Sequence, residues 1–266
     1  MRAVANRFPA LSPGGELRRS AQGPLFRELD GVGHHEVIVE TPIHNRITPC
    51  LDGAEIERVF RAYQARYRAL REDPLVKTIL IFKNHGEKAG TSLEHPHSQL
   101  VATPVVPMLL RRKHEVARDH YDDTGRCLYS DLVEAEVRAK TRVVLESEHF
   151  VAFHPFASRM PFETWIAPKR RRPSFGQATP EELADLAQVL ARALRGLYQA
   201  LGNPDFNYIV HSAPIEDEAE AYYLWYVQIV PRLAEIAGFE LGSGIYLTTE
   251  MPEESAAFMR EVLRAC

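Results

Sequence analysis

The sequence predicts an α+β protein built from two tandem repeats, each an antiparallel sheet with packed helices. Three observations carry that prediction. Asp52-Gly53-Ala54-Glu55 has capping-box spacing and precedes apolar residues at helical intervals, Ile56, Val59, Phe60, Tyr63, Tyr67 and Leu70. Thr179-Pro180-Glu181-Glu182 repeats the device before Leu183, Leu186, Leu190, Leu194, Leu197 and Leu201, with Pro at the first helical position and Gly202 as the stop. After each helix comes an apolar strand, a loop, and a strand carrying Gln-[Leu/Ile]-Val, as in Gln99-Leu100-Val101 and Gln228-Ile229-Val230.

The elements follow in order. Asn6-Arg7-Phe8-Pro9-Ala10-Leu11 reads as a turn before a buried Leu. Glu36–Glu40, with its β-branched core, reads as a strand that Thr41-Pro42-Ile43-His44 ends. The first capped helix is followed by the strand Val76–Phe82, a polar loop, and the strand His97–Thr103, which Pro104 and Pro107 close. The charged stretch from about 108 to 125, ending in Asp122-Asp123-Thr124-Gly125, reads as turns, so the boundary falls there. The halves are then residues 1–113 and 122–266. The second opens at Cys127-Leu128-Tyr129-Ser130, with a helix-like Asp131–Leu145 and strands at His149–His154 and Phe162–Pro168. Beyond the second capped helix, Asn207–His211 and Tyr222–Pro231 read as strands, Gly238–Gly244 as a glycine turn, and Pro252–Leu263 as a packing helix.

Composition narrows the function. With 266 residues, 45% hydrophobic and 26% charged, the chain has the makeup of an ordinary soluble globular protein. A formal charge of −4 argues against non-specific nucleic-acid binding, which needs a basic footprint. The N-terminus has no apolar signal-like core and no stretch approaches membrane-spanning length, so no membrane association and a cytoplasmic location are expected. Cys50, Cys127 and Cys266 are too scattered for a disulfide framework.

Chemistry concentrates in Asn84-His85-Gly86-Glu87-Lys88-Ala89-Gly90-Thr91-Ser92-Leu93-Glu94-His95-Pro96-His97-Ser98-Gln99. In an extended segment His95, His97 and Gln99 point to one face. Gly86 and Gly90 give the loop φ freedom, and Thr91 and Ser92 add hydroxyls, so it can present donors to a phosphate. The pattern Asn-x-Gly-x-x-x-Gly-Thr-Ser-x-x-His-Pro-His-Ser-Gln resembles the active-site loop of the galactose-1-phosphate uridylyltransferase family, a branch of the histidine-triad superfamily. Ser after the second His is similar to the ADP-glucose phosphorylase-like members, and the likeness extends over nearly the whole chain.

The resemblance implies two histidine-triad-like repeats and a nucleotidyltransferase. His97 would attack the α-phosphorus of a nucleotide sugar, expel a sugar 1-phosphate, and pass the nucleotide from a phosphoramidate to a sugar 1-phosphate or phosphate acceptor. The leaving group is already a stable anion, so Gln99 suffices where hydrolases carry a third His. An amide holds a phosphoryl oxygen without activating water. Ser92 would assist, and Asn84, Gly90, Thr91 and Ser92 would line the phosphates. Asn6 and Phe8 would line the nucleoside pocket, and Gln228, Gly242 and Gly244 would complete the sugar-phosphate contacts. A histidine-triad nucleotide hydrolase and a catalytically inactive nucleotide-binding protein are the competing readings. Nucleotide sugar and sugar 1-phosphate are the expected partners, with a homodimer as a further expectation.

For metal, the resemblance leaves two partial sets. His44 and His95 match two ligands of one family zinc site, whose Cys-x-x-Cys half is not found ahead of Asn6. At the other site the matching positions are Cys127, Ser130, Arg171 and His211, of which only Cys127 and His211 are ligand types. Two ligands of four do not close a tetrahedral site, so substoichiometric zinc is expected. Arg170-Arg171-Arg172 reads as a solvated basic run. The second half lacks the imidazoles, since Leu224 and Tyr226 stand where the first has His95 and His97. Catalysis is therefore expected to rest on the first half.

Overall fold

The computed structural model describes residues 1–265; Cys266 lies outside them. Its strands are β1 (Arg2–Ala5), β2 (Arg19–Gln22), β3 (Phe26–Leu29), β4 (His34–Val39), β5 (Thr78–His85), β6 (His97–Thr103), β7 (Val143–Glu146), β8 (Phe150–Phe153), β9 (Thr164–Pro168), β10 (Phe206–His211) and β11 (Tyr226–Pro231). The α-helices are α1 (Gly53–Leu70), α2 (Met108–Thr124), α3 (Leu128–Ala139), α4 (Pro180–Leu201), α5 (Gly238–Ser243) and α6 (Pro252–Ala265).

Nine strands form one antiparallel sheet in the order β1-β4-β6-β5-β10-β11-β9-β8-β7, and β2 and β3 make a separate hairpin. Apart from the edge strand β7, the order is symmetric about the β5–β10 pairing, and the register repeats with it. Gln99 stands opposite Phe82 on β5 and Val37 on β4. Gln228 stands opposite Ile209 on β10 and Trp165 on β9. Two copies of one three-strand unit thus share a sheet, as the Gln-[Leu/Ile]-Val repeat predicts.

Both foreseen capping boxes form, at Asp52/Glu55 and Thr179/Glu182, and Gly202 ends α4 in the left-handed region. The apolar stripes of α1 and α4 bury the main core against one sheet face, which includes Ser98, Leu100 and Ala102 of β6 and Ile79 and Ile81 of β5. On the opposite face, Ala117 of α2 with Tyr129 and Val133 of α3 buries a second core over the C-terminal strands. Over the N-terminal unit that face stays open, leaving Val37, Phe82, Gln99 and Val101 half-buried. The site lies at this open end.

Several local expectations are corrected. Residues 108–124 form the helix α2, capped by Gly125 in the left-handed region. Its buried stripe is only Leu110, His114 and Ala117, so its charged face hid the period. Helix α3 stops at Lys140, also left-handed, and Val143–Leu145 belongs to β7. Tyr222–Leu224 is buried loop before β11, and Gly238–Ser243 is a short helix ended by Gly244. Strand β5 runs on to His85, which places Asn84 in the sheet. The edge strand β1 and the β2–β3 hairpin are exposed along their length and lack the apolar alternation that would announce a strand.

Candidate active site

The ends of β5 and β6 and the loop between them wall a cleft of about 740 Å3, to which Asn45, Ile47, Thr48, Asn203 and Asp205 also contribute. Two glycines shape the loop. Gly86 has φ +85°, and a Cβ there would overlap the Asp205 carboxylate, which accepts the Lys88 backbone N–H at 2.6 Å. Gly90 is also left-handed. Asn84 is fixed by its cross-strand neighbour, since Asn207 Nδ2 donates to Asn84 Oδ1 and to the Ala89 carbonyl, both at 2.9 Å. Thr91 and Ser92 line the cleft wall, and Thr91 Oγ1 is buried without a partner among the described residues. Gly90 is exposed and does not line the cleft, its carbonyl 3.4 Å from Asn84 Nδ2.

His97 opens β6, lines the cleft and is 8% exposed. Its Nδ1 lies 2.8 Å from the His95 carbonyl, an acceptor, so Nδ1 carries the proton and Nε2 keeps its lone pair. Below it sits a buried polar network. Lys83 Nζ donates to the His97 carbonyl at 3.0 Å and to Glu40 Oε2 at 2.8 Å. Glu40 also accepts from Thr48 Oγ1 at 3.0 Å, and Tyr63, bonded to Tyr208 at 2.5 Å, borders the same carboxylate. Burial, then the Glu40 charge, pushes the Tyr63 phenol up and keeps it protonated.

Only two of the three side chains expected on one face share it. The strand begins at His97, so His97 and Gln99 alternate together, whereas His95 precedes Pro96 and turns back. His95 Nε2 donates to the Thr41 carbonyl at 2.7 Å, and its Nδ1 accepts from His44 Nδ1 at 3.1 Å. Gln99 Oε1 lies 2.8 Å from His35 Nε2, and Asn6 Nδ2 lies 3.0 Å from the same nitrogen. Asn6 and Gln99 are therefore brought together through His35, on the open sheet face beside the cleft. Phe8 follows Asn6 but is 81% exposed.

The residues present do not fit a closed zinc site. His44 and His95 bring two imidazoles together, and among the described residues no third His, Cys, Asp or Glu joins them in a metal-holding group. Cys127 Sγ is turned to the Tyr222 carbonyl, His211 Nε2 is bonded to Gln228 Oε1 at 2.8 Å, and Arg171 contacts the Ala221 carbonyl. Burial pulls the His211 imidazole down to about 3, so it is neutral.

Other expected contacts lie elsewhere in this structure. Gln228 is held by His211 and by Glu163 Oε1 at 2.6 Å in a separate cleft of about 340 Å3, lined from both halves, beside Lys113 and Arg159. Gly242 and Gly244 are exposed on and after α5, away from the first cleft's lining. Sequence reading missed His35, Glu40, Lys83, Asn207 and Asp205. Lys83 alone left a signal, a cation following the apolar run Ile79–Phe82.

Comparison with known proteins agrees with this architecture. The profile of the galactose-1-phosphate uridyl transferase N-terminal domain matches residues 1–107, and that of a domain of unknown function, DUF4921, matches residues 56–265. The chain is 34% identical over 265 residues to ADP-glucose phosphorylase of Arabidopsis thaliana, covering 98% of this chain and 74% of that protein. It is 32% identical over 266 residues to galactose-1-phosphate uridylyltransferase of Thermotoga maritima, covering 96% and 82%. Among solved structures, the Arabidopsis thaliana ADP-glucose phosphorylase with bound ADP-glucose superposes with a TM-score of 0.86 at 33% identity, over 98% of this chain and 81% of that one. A uridylyltransferase superposes with a TM-score of 0.91 at 30% identity, over 100% and 86%. With the loop, the duplicated sheet and the sequence agreeing over the full length, the chain belongs to the galactose-1-phosphate uridylyltransferase family, on the branch that includes ADP-glucose phosphorylase.

Proposed function

We propose that this enzyme moves a nucleoside monophosphate between a nucleotide sugar and a sugar 1-phosphate or phosphate acceptor, by two displacements at His97. The carrying observation is the His97 ring itself, with Nδ1–H committed to the His95 carbonyl and Nε2 without a hydrogen-bond partner among the described residues, in a ring that lines the cleft. In the first step Nε2 forms a bond to the α-phosphorus while the bond to the sugar-phosphate oxygen breaks, and the leaving dianion departs without a proton. In the second, an acceptor phosphate oxygen attacks the same phosphorus and the imidazole leaves. Gln99 supplies an amide donor and no titratable group, which favours transfer over hydrolysis. Thr91 and Ser92 hold phosphate oxygens.

The division into a chemical half, residues 1–113, and a supporting half, residues 122–266, is supported by Asn203 and Asp205, which reach the cleft from the second half. A homodimer is supported by the exposure of Phe8, Leu25, Phe26, Phe239 and Leu241. No helix among the described residues is long and apolar enough to cross a membrane, which suits substrates of the cytoplasm.

Incubation with α-labelled ADP-glucose or UDP-glucose should leave acid-labile label on His97. His97→Ala should abolish both the label and exchange between nucleotide sugar and sugar 1-phosphate. Full exchange in that variant would refute the covalent route.

A further inference from the structure

His35 lies on β4, diagonal to Gln99 across the β4–β6 ladder, where its own partner is Val101 and that of Gln99 is Val37. Its ring is held at both nitrogens. The backbone N–H of Ala10 donates to Nδ1 at 3.0 Å, and a backbone N–H has no other role to play. Nδ1 is therefore the lone-pair nitrogen, and in the neutral ring Nε2 carries the hydrogen. The group 2.8 Å from Nε2 must then accept, which fixes it as Gln99 Oε1 and turns the Gln99 NH2 away from His35. Asn6 is fixed in the same sense. Its Oδ1 accepts the Phe8 N–H at 2.9 Å, so the amide atom 3.0 Å from His35 Nε2 is the nitrogen. Two donors cannot bond each other, and the Asn6 hydrogens are left for another acceptor.

We infer that His35 is a positioning residue that sets the amide of Gln99 with its NH2 outward beside His97, next to a similarly oriented Asn6. The ligand recognised by this pair of amides is an oxygen-rich anion, here the phosphoryl group and ribose of the transferred nucleotide, so the inference rests on the proposed nucleotidyl transfer. A glutamine amide has two orientations of equal shape and opposite polarity. Only one offers hydrogens to phosphoryl oxygens; the other aims a carbonyl at them. His35 selects the first by a proton whose location is dictated ten residues into the chain, at Ala10.

The test exchanges a donor for an acceptor in one shape. Gln at position 35 can place an NH2 near the His35 Nε2 position and keep Gln99 in register; Glu offers only acceptors and turns the Gln99 amide around. The expected loss in kcat is less than about tenfold for His35→Gln and at least about a hundredfold for His35→Glu, the scale of removing one preorganised donor. Simple repulsion between Glu and phosphate is separated by repeating the pair in a Gln99→Met background. There the difference between Gln and Glu should collapse to within about threefold if it runs through Gln99, and persistence of the full difference overturns the inference. Nitrogen NMR of the unmodified enzyme should show His35 as the Nε2–H tautomer, and an Nδ1–H tautomer also overturns it. Failure of the underlying reading has a different signature, exchange that survives His97→Ala.

Discussion

Lys83 donates a hydrogen bond from a fully buried ammonium to the backbone carbonyl of His97, 3.0 Å away. That carbonyl belongs to the first residue of β6, so the contact anchors the point at which the strand leaves the loop. The ammonium is neutralised by Glu40, which is equally buried. An ion pair out of water gains little over an apolar pair, but removing one partner leaves an uncompensated charge. Lys83→Met should therefore cost roughly 3–5 kcal/mol of stability and loosen His97, lowering kcat. Glu40→Gln combined with Lys83→Met should recover much of the stability and little of the activity. Urea unfolding and exchange kinetics on the two variants and the parent check this. Parental stability and kcat in Lys83→Met would show that the pair neither supports the fold nor positions the nucleophile.

Acid sensitivity should come first from buried histidines. Burial pulls His114 down to about 4, and His154 and His211 down to about 3. In the unfolded chain these imidazoles titrate near the ordinary value of about 6.5. Between those limits the unfolded state binds more protons, so stability is complete above pH 6.5 and is lost as pH falls below it. Each histidine contributes a slope of about 1.4 kcal/mol per pH unit. Asp73 and Asp131, held low chiefly by His34 and by Arg126, add losses at more acidic pH. His154→Asn retains a polar partner for Ser255 Oγ, now 2.8 Å from His154 Nδ1, without a titrating ring. Its unfolding free energy between pH 6.5 and 5 should fall less steeply than the parent's, by a difference that approaches about 1.4 kcal/mol per unit toward pH 5. An identical slope would exclude His154 as a source of the acid sensitivity.

Gly86 tests how the phosphate-facing loop is held. Its positive φ is unfavourable for other residues, and a Cβ would enter the space of the Asp205 carboxylate that caps the Lys88 N–H. Gly86→Ala should lower stability by about 1–3 kcal/mol and raise the KM for nucleotide sugar. A variant with parental KM and unfolding midpoint would mean that the loop relaxes without consequence.

What could be read from the sequence was local or periodic. The capping boxes at Asp52 and Thr179 and the long stripes behind them declare α1 and α4 because those helices bury a wide apolar face. His97 and Gln99 were legible because strand alternation places them together. The polar supports were not. His35 reaches Gln99 across a strand pair 64 residues apart, and Lys83 meets Glu40 across 43. Neither spacing leaves a periodic mark, and a lysine after an apolar strand resembles an exposed strand end. Helix α2 escaped because it buries only three side chains, and β1 because an exposed edge strand needs no alternation.

The His44–His95 pair sets the last prediction. Its hydrogen bonds already form a closed sequence: His44 Nδ1 donates to His95 Nδ1, and His95 Nε2 donates to the Thr41 carbonyl. The pair therefore ties the segment after β4 to the segment before His97 without a metal. Zinc held by two imidazoles and water would be weak, because a closed structural site takes four protein ligands. Purified protein should carry well under one zinc per chain, and chelation should leave the unfolding midpoint nearly unchanged. His95→Ala should cost about 1–2 kcal/mol, the scale of losing such hydrogen bonds, with or without chelator. Structural zinc sites behave otherwise, since their binding energy is folding energy. Elemental analysis finding one tightly held zinc per chain, lost together with thermal stability on chelation, would overturn this. It would also direct the search for a further ligand to Cys50, exposed at the end of the Thr48–Cys50 turn.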